Sequence, residues 1–368
     1  MFEITLKKQD LLTPLLTVAC AVDKKQSLAI LSNILIKLNN DKAFLTATDL
    51  EIEMTAVMPC ESSQNEGAIT VPAKKFVDII RSLEDASSPK IRYNEGKVSL
   101  KAGRSQFKLS TLPAESYPNS EDEQSDFELQ LPREDFLNLL QSTHFAMSQQ
   151  DVRVFLNGLL LEVEPNQLTA VATDGHRMAI NRLAFDCGQQ SQKLLIPRKG
   201  ILEVMRLLSH ISDENITISA GKNHFKLTTS QYGFVSKLIE AKFPPYSKAI
   251  PKTQDKHISI DKEQLKRALS RMTILANEKS RAVLLELQSN QLTLIANNQE
   301  QEEAQEILEA TTKGDDLKIG VNAAYLQDVL GYIQGQQLKI SLKDSDSSIL
   351  VESDHDDDYL YIIMPMKI

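Results

Sequence analysis

An α+β fold, built from three tandem copies of a two-helix domain against antiparallel sheet, is what this sequence predicts. The first observation behind it is a repeat. Ala172-Thr173-Asp174 lies 125 positions after Ala47-Thr48-Asp49, and three other blocks keep that offset: Leu6 to Leu11 with Leu131 to Phe136, Leu31 to Ile36 with Leu156 to Leu161, and Val71 to Phe76 with Ile196 to Ile201. A fainter third copy begins at Ile260-Asp261-Lys262, at an offset of 129, and returns to 125 at Val321 to Leu326. Self-similarity at a fixed period is the mark of repeated domains. The second observation is a constant order of helical and alternating patterns within each copy. The third is length, since 368 residues suit three domains of roughly 120. The expected boundaries are 1–125, 126–254 and 255–368, at polar stretches near Ser120 to Phe127 and Pro251 to Lys256.

The elements follow in order. Each copy opens with a helix: Asp10 to Ala21, Arg133 to Met147 and Lys262 to Ala276. Leu12, Leu15, Leu16 and Ala19 fall at helical spacing, as do Phe136, Leu137, Leu140 and His144. Two strands come next, Ile30 to Leu38 and Ala43 to Thr48 in the first copy, joined through Asn39-Asn40-Asp41. A further strand leads into a second helix, Lys74 to Leu83, Lys199 to Ser209 and Ala323 to Tyr332, with Pro72 and Pro197 placed where helices start. The closing strands alternate, as in Lys97 to Lys101, Phe107 to Ser110, Ile216 to Ser219 and Leu338 to Leu342. Alternation of this kind marks half-buried antiparallel strands.

Composition excludes several classes. Cys20, Cys60 and Cys187 have no Cys-x-x-Cys spacing, so neither a disulfide scaffold nor a zinc site is expected, and a reducing cytoplasm is the natural compartment. Lys7-Lys8 and the run to Cys20 superficially resemble a lipoprotein leader, but Asp10, Thr13, Pro14 and Thr17 interrupt it and its repeat partner is an internal helix. No run approaches a membrane span. The net charge of −9 counts against nucleic acid as a partner, yet the acids cluster in Glu121-Asp122-Glu123, Glu300 to Glu309 and Asp354 to Asp358. Bases gather in the helices of all three copies, among them Lys7, Lys8, Lys74, Lys75, Arg133, Arg198, Lys199, Lys262 and Lys266.

The stretch Leu168 to Ile180 reads as a strand, a tight turn at Asp174-Gly175 and a second strand. Asp174 and His176, beside Arg177, suggest as one alternative a hydrolase or phosphodiesterase using Asp174 and His176. Asp49 occupies the matching position with Leu50 and Glu51 after it, which favours a turn-capping role for both aspartates. No phosphate loop, dinucleotide fingerprint, His-Glu-x-x-His or Gly-x-Ser-x-Gly is present, and no cofactor or metal is expected. A scaffold of repeats without DNA is the other alternative. If two chains close head to tail, twelve helices packed about 9–10 Å apart line a circle roughly 35 Å across, wide enough for duplex DNA. Lys and Arg contacts to phosphate then hold DNA without reading its sequence.

Thr48-Asp49-Leu50-Glu51, Val71 to Phe76, Leu109 to Pro113, Ala172 to Arg177, Pro197 to Gly200 and Met364-Pro365-Met366 together resemble the bacterial DNA polymerase III β subunit, the sliding clamp family, over the whole chain. The resemblance implies a homodimeric ring around double-stranded DNA that tethers the replicative polymerase and has no catalysis of its own. It implies a groove that takes short linear motifs from the polymerase III α subunit, the clamp loader, other polymerases and repair proteins. By position that groove uses Leu156, Thr173, Gly175, His176, Arg177, Met178, Pro244, Lys248, Asn322, Tyr325, Ser348, Ile362, Ile363, Met364, Pro365, Met366, Lys367 and Ile368. Tyr359 to Ile363 reads as a strand that Pro365 ends. Asp346 stands where the family often has an apolar residue, and Lys248 and Lys367 replace common arginines. The family's DNA-contacting positions fall on Lys25, Lys74, Gln150, Val154 and Phe155, the last two departing from common tyrosines; Arg104, Arg198 and Lys199 join them on charge.

Overall fold

The computed structural model describes residues 2–22, 28–62, 66–118, 125–188, 191–353 and 358–367. Lys25, Ile368, the 121–123 acids and Asp354 to Asp357 lie outside the described residues. The first copy runs β1 Phe2–Thr5, α1 Lys8–Val18, β2 Asn33–Asn39, β3 Lys42–Thr48, β4 Ile52–Pro59, β5 Glu61–Ser62, β6 Glu66–Pro72, α2 Ala73–Ser82, β7 Lys90–Asn94, β8 Lys97–Ala102 and β9 Ser105–Ser110. The second runs β10 Phe127–Pro132, α3 Arg133–Gln141, β11 Gly158–Glu164, β12 Gln167–Thr173, β13 Arg177–Ala184, β14 Gln192–Pro197, α4 Arg198–Leu208, β15 Asn215–Ala220, β16 His224–Thr228 and β17 Tyr232–Lys237. The third runs β18 Lys256–Asp261, α5 Lys262–Leu275, β19 Ala282–Gln288, β20 Gln291–Asn297, β21 Glu303–Glu309, β22 Thr311–Lys313, β23 Leu317–Asn322, α6 Ala323–Tyr332, β24 Gln337–Leu342, β25 Ile349–Ser353 and β26 Tyr359–Ile363.

Two compact units result. One comprises residues 1–133 and 206–238, the other 134–205 and 239–368. The first unit holds a sheet of order β5-β1-β7-β8-β9 and an eight-stranded sheet β10-β15-β16-β17-β4-β3-β2-β6. Within the latter, β17 runs antiparallel to β4, with Val235 opposite Glu53. The second unit holds a nine-stranded sheet β14-β11-β12-β13-β26-β25-β24-β18-β22 and a sheet β21-β20-β19-β23. Here β13 pairs with β26, Met178 opposite Ile362. The middle copy is divided because its two strand groups each complete a neighbouring copy's sheet. Among the described residues, β9 and β21 end their sheets.

The repeat extends to helix capping. Lys8, Arg133 and Lys262 open the first helix of the three copies. Buried Lys8 donates from Nζ to the carbonyls of Arg81 and Leu83 at the end of α2 and pairs with Asp85 at 2.9 Å. Arg133 donates to the Leu208 and Asp213 carbonyls at 2.8 and 2.9 Å, and Lys262 to the Ile333 carbonyl at 2.8 Å. A cation at carbonyls left over at a helix C-terminus satisfies both acceptors and dipole. The three bases that the charge pattern suggested for DNA are thus spent inside the protein.

Two expected elements are shorter than their sequence patterns suggest. Ile30 to Ser32 form a 3-10 turn before β2. The helix expected to Met147 stops at Gln141, because the Ser142 and Thr143 hydroxyls donate back to carbonyls three and four residues earlier: Ser142 to Asn138 and Leu139 at 2.9 and 3.1 Å, Thr143 to Leu139 and Leu140 at 3.0 and 3.2 Å. Such bonds compete with the helical ladder.

Candidate partner-binding groove

The site is built on the turn between β12 and β13. The Thr173 hydroxyl donates to the Arg177 carbonyl at 2.6 Å and accepts the Gly175 N–H at 3.1 Å. Asp174 Oδ1 accepts the N–H groups of His176 and Arg177 at 2.9 and 3.0 Å, while Oδ2 takes Arg177 Nε at 3.1 Å. Gly175 sits at φ 89°, where glycine avoids the Cβ clash. With its carboxylate committed to the turn, Asp174 is a cap, not a base beside His176. His176 projects from the turn, exposed.

Beyond the turn, the strand buries one apolar face. Met178 and Ile180 on β13, Leu360 and Ile362 on β26, and Leu160, Val171, Leu195 and Leu350 form one cluster, with Phe155, Ile239, Ala241, Phe243, Tyr246 and Ile250 packed against it. The 239–250 segment crosses this face and leaves a cavity of about 560 Å³ lined by Leu160, Leu195, Ala241, Phe243, Pro244 and Tyr246 with Glu162 at its edge. Glu162 accepts the Tyr246 hydroxyl at 2.5 Å and pairs with Lys193. Burial, then the Glu162 carboxylate, push the Tyr246 phenol well above its ordinary pKa.

The C-terminal strand is part of this surface. β26 lies between β13 and β25. Met364 N–H donates to the His176 carbonyl at 2.8 Å and Met366 N–H to the Gly320 carbonyl at 2.8 Å. Met364 remains 49% exposed, an apolar side chain presented to solvent beside the turn. Pro365 and Met366 are half-buried and Lys367 is exposed. Asn322 caps α6 by accepting the Ala324 N–H at 2.9 Å. Tyr325 is half-buried and takes the Arg177 guanidinium over its ring at 4.5 Å. Leu156 and Ile363 are buried, and neither belongs to the apolar cluster that carries Met178 and Ile362; Ser348 is half-buried and its carbonyl accepts from Gln254 at 3.3 Å. Pro244 and Lys248 are exposed on the crossing segment. Sequence reasoning missed Phe145, Asp328 and Tyr332, which surround Arg177 from behind. Their helical and post-helical spacing was visible, but nothing in a sequence brings residue 145 beside residue 328.

The residues expected at DNA divide by unit. Lys74 on α2 and Arg104 in the β8–β9 turn are exposed in the first unit. In the second, Gln150, Val154 and Lys199 are exposed. Arg198 is half-buried and donates to the Met147 carbonyl at 3.4 Å. Phe155 is half-buried and packs on the apolar cluster, its ring 6.2 Å from that of Phe243. Nearby, Arg153 binds Asp151 and holds its carboxyl down at about 2.

Family models match in three consecutive stretches: the N-terminal, central and C-terminal domains of the DNA polymerase III beta subunit, at residues 2–121, 130–245 and 247–367. The chain belongs to the DNA polymerase III beta subunit family. A beta sliding clamp of Pseudomonas putida is 42% identical over 365 residues, covering 99% of both chains. That of Escherichia coli K12 is 39% identical over 366 residues, covering 100% of both. The crystal structure of the Pseudomonas aeruginosa subunit superposes with a TM-score of 0.97 at 42% identity, covering 100% of both chains. The protein is therefore a sliding clamp, a processivity factor for DNA replication made of three tandem clamp domains. Nothing in these likenesses supports the hydrolase or the DNA-free scaffold. Among the described residues of this clamp, no helix is long and apolar enough to cross a membrane.

Proposed function

We propose that this sliding clamp closes with a second copy into a head-to-tail ring around duplex DNA in the cytoplasm, and that the groove beside Met178 and Met364 docks the polymerase III α subunit, the clamp loader, other polymerases and repair proteins through short linear motifs. The observation that carries the ring is the pair of equivalent seams. β17 joins β4, and β26 joins β13, as neighbouring copies in one chain. The equivalents of these strands in the first and third copies, β9 and β21, have no such partner among the described residues. An unpaired edge is a template for another chain, and a heterologous contact of this kind generates closed rings. Domains at 1–125, 126–254 and 255–368 each contribute two helices to the lining.

The register follows from the seams. Glu53 and Met178 are the residues that pair with Thr48 and Thr173 across the hairpin, and Glu303 pairs with Asn297 in the third copy. Val235 and Ile362 oppose them. Lys108, opposite Ser99, is the equivalent in β9. Lys108 of one copy therefore faces Glu303 of the other. Opposite charges across a pair contribute roughly 0.2–1 kcal/mol and like charges cost similar amounts. Lys108→Glu should raise the dimer dissociation constant in analytical ultracentrifugation, and adding Glu303→Lys should restore it. A double variant as weak as the single one contradicts this register.

For DNA, Lys25, Lys74, Arg104, Gln150, Val154, Arg198 and Lys199 supply diffuse contacts, the cations acting as point charges for phosphate. Such contacts are non-specific and salt-dependent. In the groove, the apolar floor receives an anchor side chain, and the thioethers of Met364 and Met366 adapt to several partners.

A further inference from the structure

We infer that Asp328 and Phe145 are positioning residues of the groove: they fix the Arg177 guanidinium, and through it the Tyr325 ring and the Asp174 turn, in the arrangement a docked segment requires. The inference rests on the groove assignment above. Arg177 is the first residue of β13 and stands opposite Ile363. Its side chain is 12% exposed and every nitrogen is directed into the protein. Nε meets Asp174 at 3.1 Å, Nη1 pairs with Asp328, and Nη2 donates to the Phe145 carbonyl at 2.8 Å. The guanidinium carbon lies 4.5 Å from the Tyr325 ring centroid and 5.4 Å from that of Phe145. So constrained, Arg177 has little left with which to grip a partner's anion. It acts by holding its neighbours.

The support behind Arg177 is continuous. Tyr325, Asp328 and Tyr332 recur at i, i+3 and i+7 on α6, one face of the helix. Tyr332 stacks on Phe145 with centroids 5.2 Å apart and planes at 4°, and Phe145 also meets Tyr361 of β26 at 5.9 Å. A planar fork held at three nitrogens and against two rings is pre-organised in a way a lysine cannot reproduce. The first copy provides the contrast. Ile52 occupies the position of Arg177 there, opposite Ser236, and has no guanidinium to hold.

The test uses the full-length dimeric clamp and the intact polymerase III α subunit as probe. Asp328→Asn removes the charge and keeps the shape; it should weaken binding by about tenfold, the low end for a hydrogen bond to a charged group, because Asp328 is partly exposed. Asp328→Glu should stay within about twofold of the parent, and Arg177→Lys should lose as much as Asp328→Asn. The double variant should be no weaker than the weaker single, since both break one linkage. The dimer and the thermal midpoint should be unchanged, which a merely structural role would not allow. Phe145→Leu, which keeps the carbonyl and removes the ring, should weaken binding in the same direction and covers the case in which Asp328→Asn fails to fold. A clamp ending at Ile363 serves as reference. If it loses binding while Asp328→Asn binds like the parent, the positioning role is overturned and the groove stands. If it binds normally, the groove assignment falls, and the positioning role with it.

Discussion

The turns at Thr48–Ile52 and Thr173–Arg177 have the same hydrogen bonds and different tasks. In the first, the Thr48 hydroxyl donates to the Ile52 carbonyl at 2.7 Å and accepts the Leu50 N–H at 3.0 Å, while Asp49 accepts the N–H groups of Glu51 and Ile52, both at 3.0 Å. The second repeats this with Thr173, Asp174 and Gly175. Each turn delivers its chain into a seam strand. On the strand that follows, the first copy places Glu53 and Thr55 where the second places Met178 and Ile180. The cavity on the first copy's sheet is accordingly lined by Lys37, Thr46, Glu53, Thr55 and Glu66 beside Leu35 and Phe44. The backbone repeats the platform; two side chains per strand decide whether it can take an apolar anchor.

That contrast can be broken at several points. The largest effect belongs to removal of residues 364–368, which should abolish capture of the α subunit while the dimer persists in sedimentation. Next is Met178→Glu, which gives the second strand the first strand's residue. It buries a charge beside Ile362 and should weaken binding at least tenfold in fluorescence anisotropy, by the cost of an unpaired buried charge. Smaller effects test the turns themselves. Leu50 adopts φ 74°, a conformation that costs an L-residue roughly 1–2 kcal/mol. Gly175→Leu should therefore lower stability by about that amount in denaturant titration, and Leu50→Gly should change it by less than about 1 kcal/mol, strain relief and glycine's entropy being opposed. The smallest effect is a pH dependence. Burial, reinforced by Arg198, lowers the pKa of His144, whose ring packs at 5.4 Å on Tyr332. The folded state then binds fewer protons than the unfolded one, so stability should fall as pH drops through about 6.5, the ordinary histidine value. His144→Phe should flatten that slope in thermal unfolding followed from pH 8 to pH 5.

Much of this was legible in the sequence. The offset of 125 and the Asp174-Gly175 pair placed the turn, and alternation placed the closing strands, because these are local properties. The strand from Tyr359 to Ile363 forms with the limits its apolar run indicates. Charge was less informative. Lys8, Arg133 and Lys262 look like surface bases in a linear pattern, and only the packing of the second helix shows the carbonyls they satisfy. The Arg177 cluster was invisible for the same reason: Phe145, Asp328 and Tyr332 become neighbours only when β13 and β26 pair. The packing of Phe155 against the cluster under the 239–250 segment was likewise not legible in the sequence.

Encirclement of DNA is the central claim, and topology tests it most directly. The clamp, its loader and ATP are mixed with nicked circular DNA, washed in high salt and then treated with an enzyme that cuts the circle. Screening removes contacts that are only electrostatic. A ring linked to DNA should remain on the circles through the wash and leave once the ends are free. Loss in the salt wash with an active loader, or retention after the cut, would contradict the account.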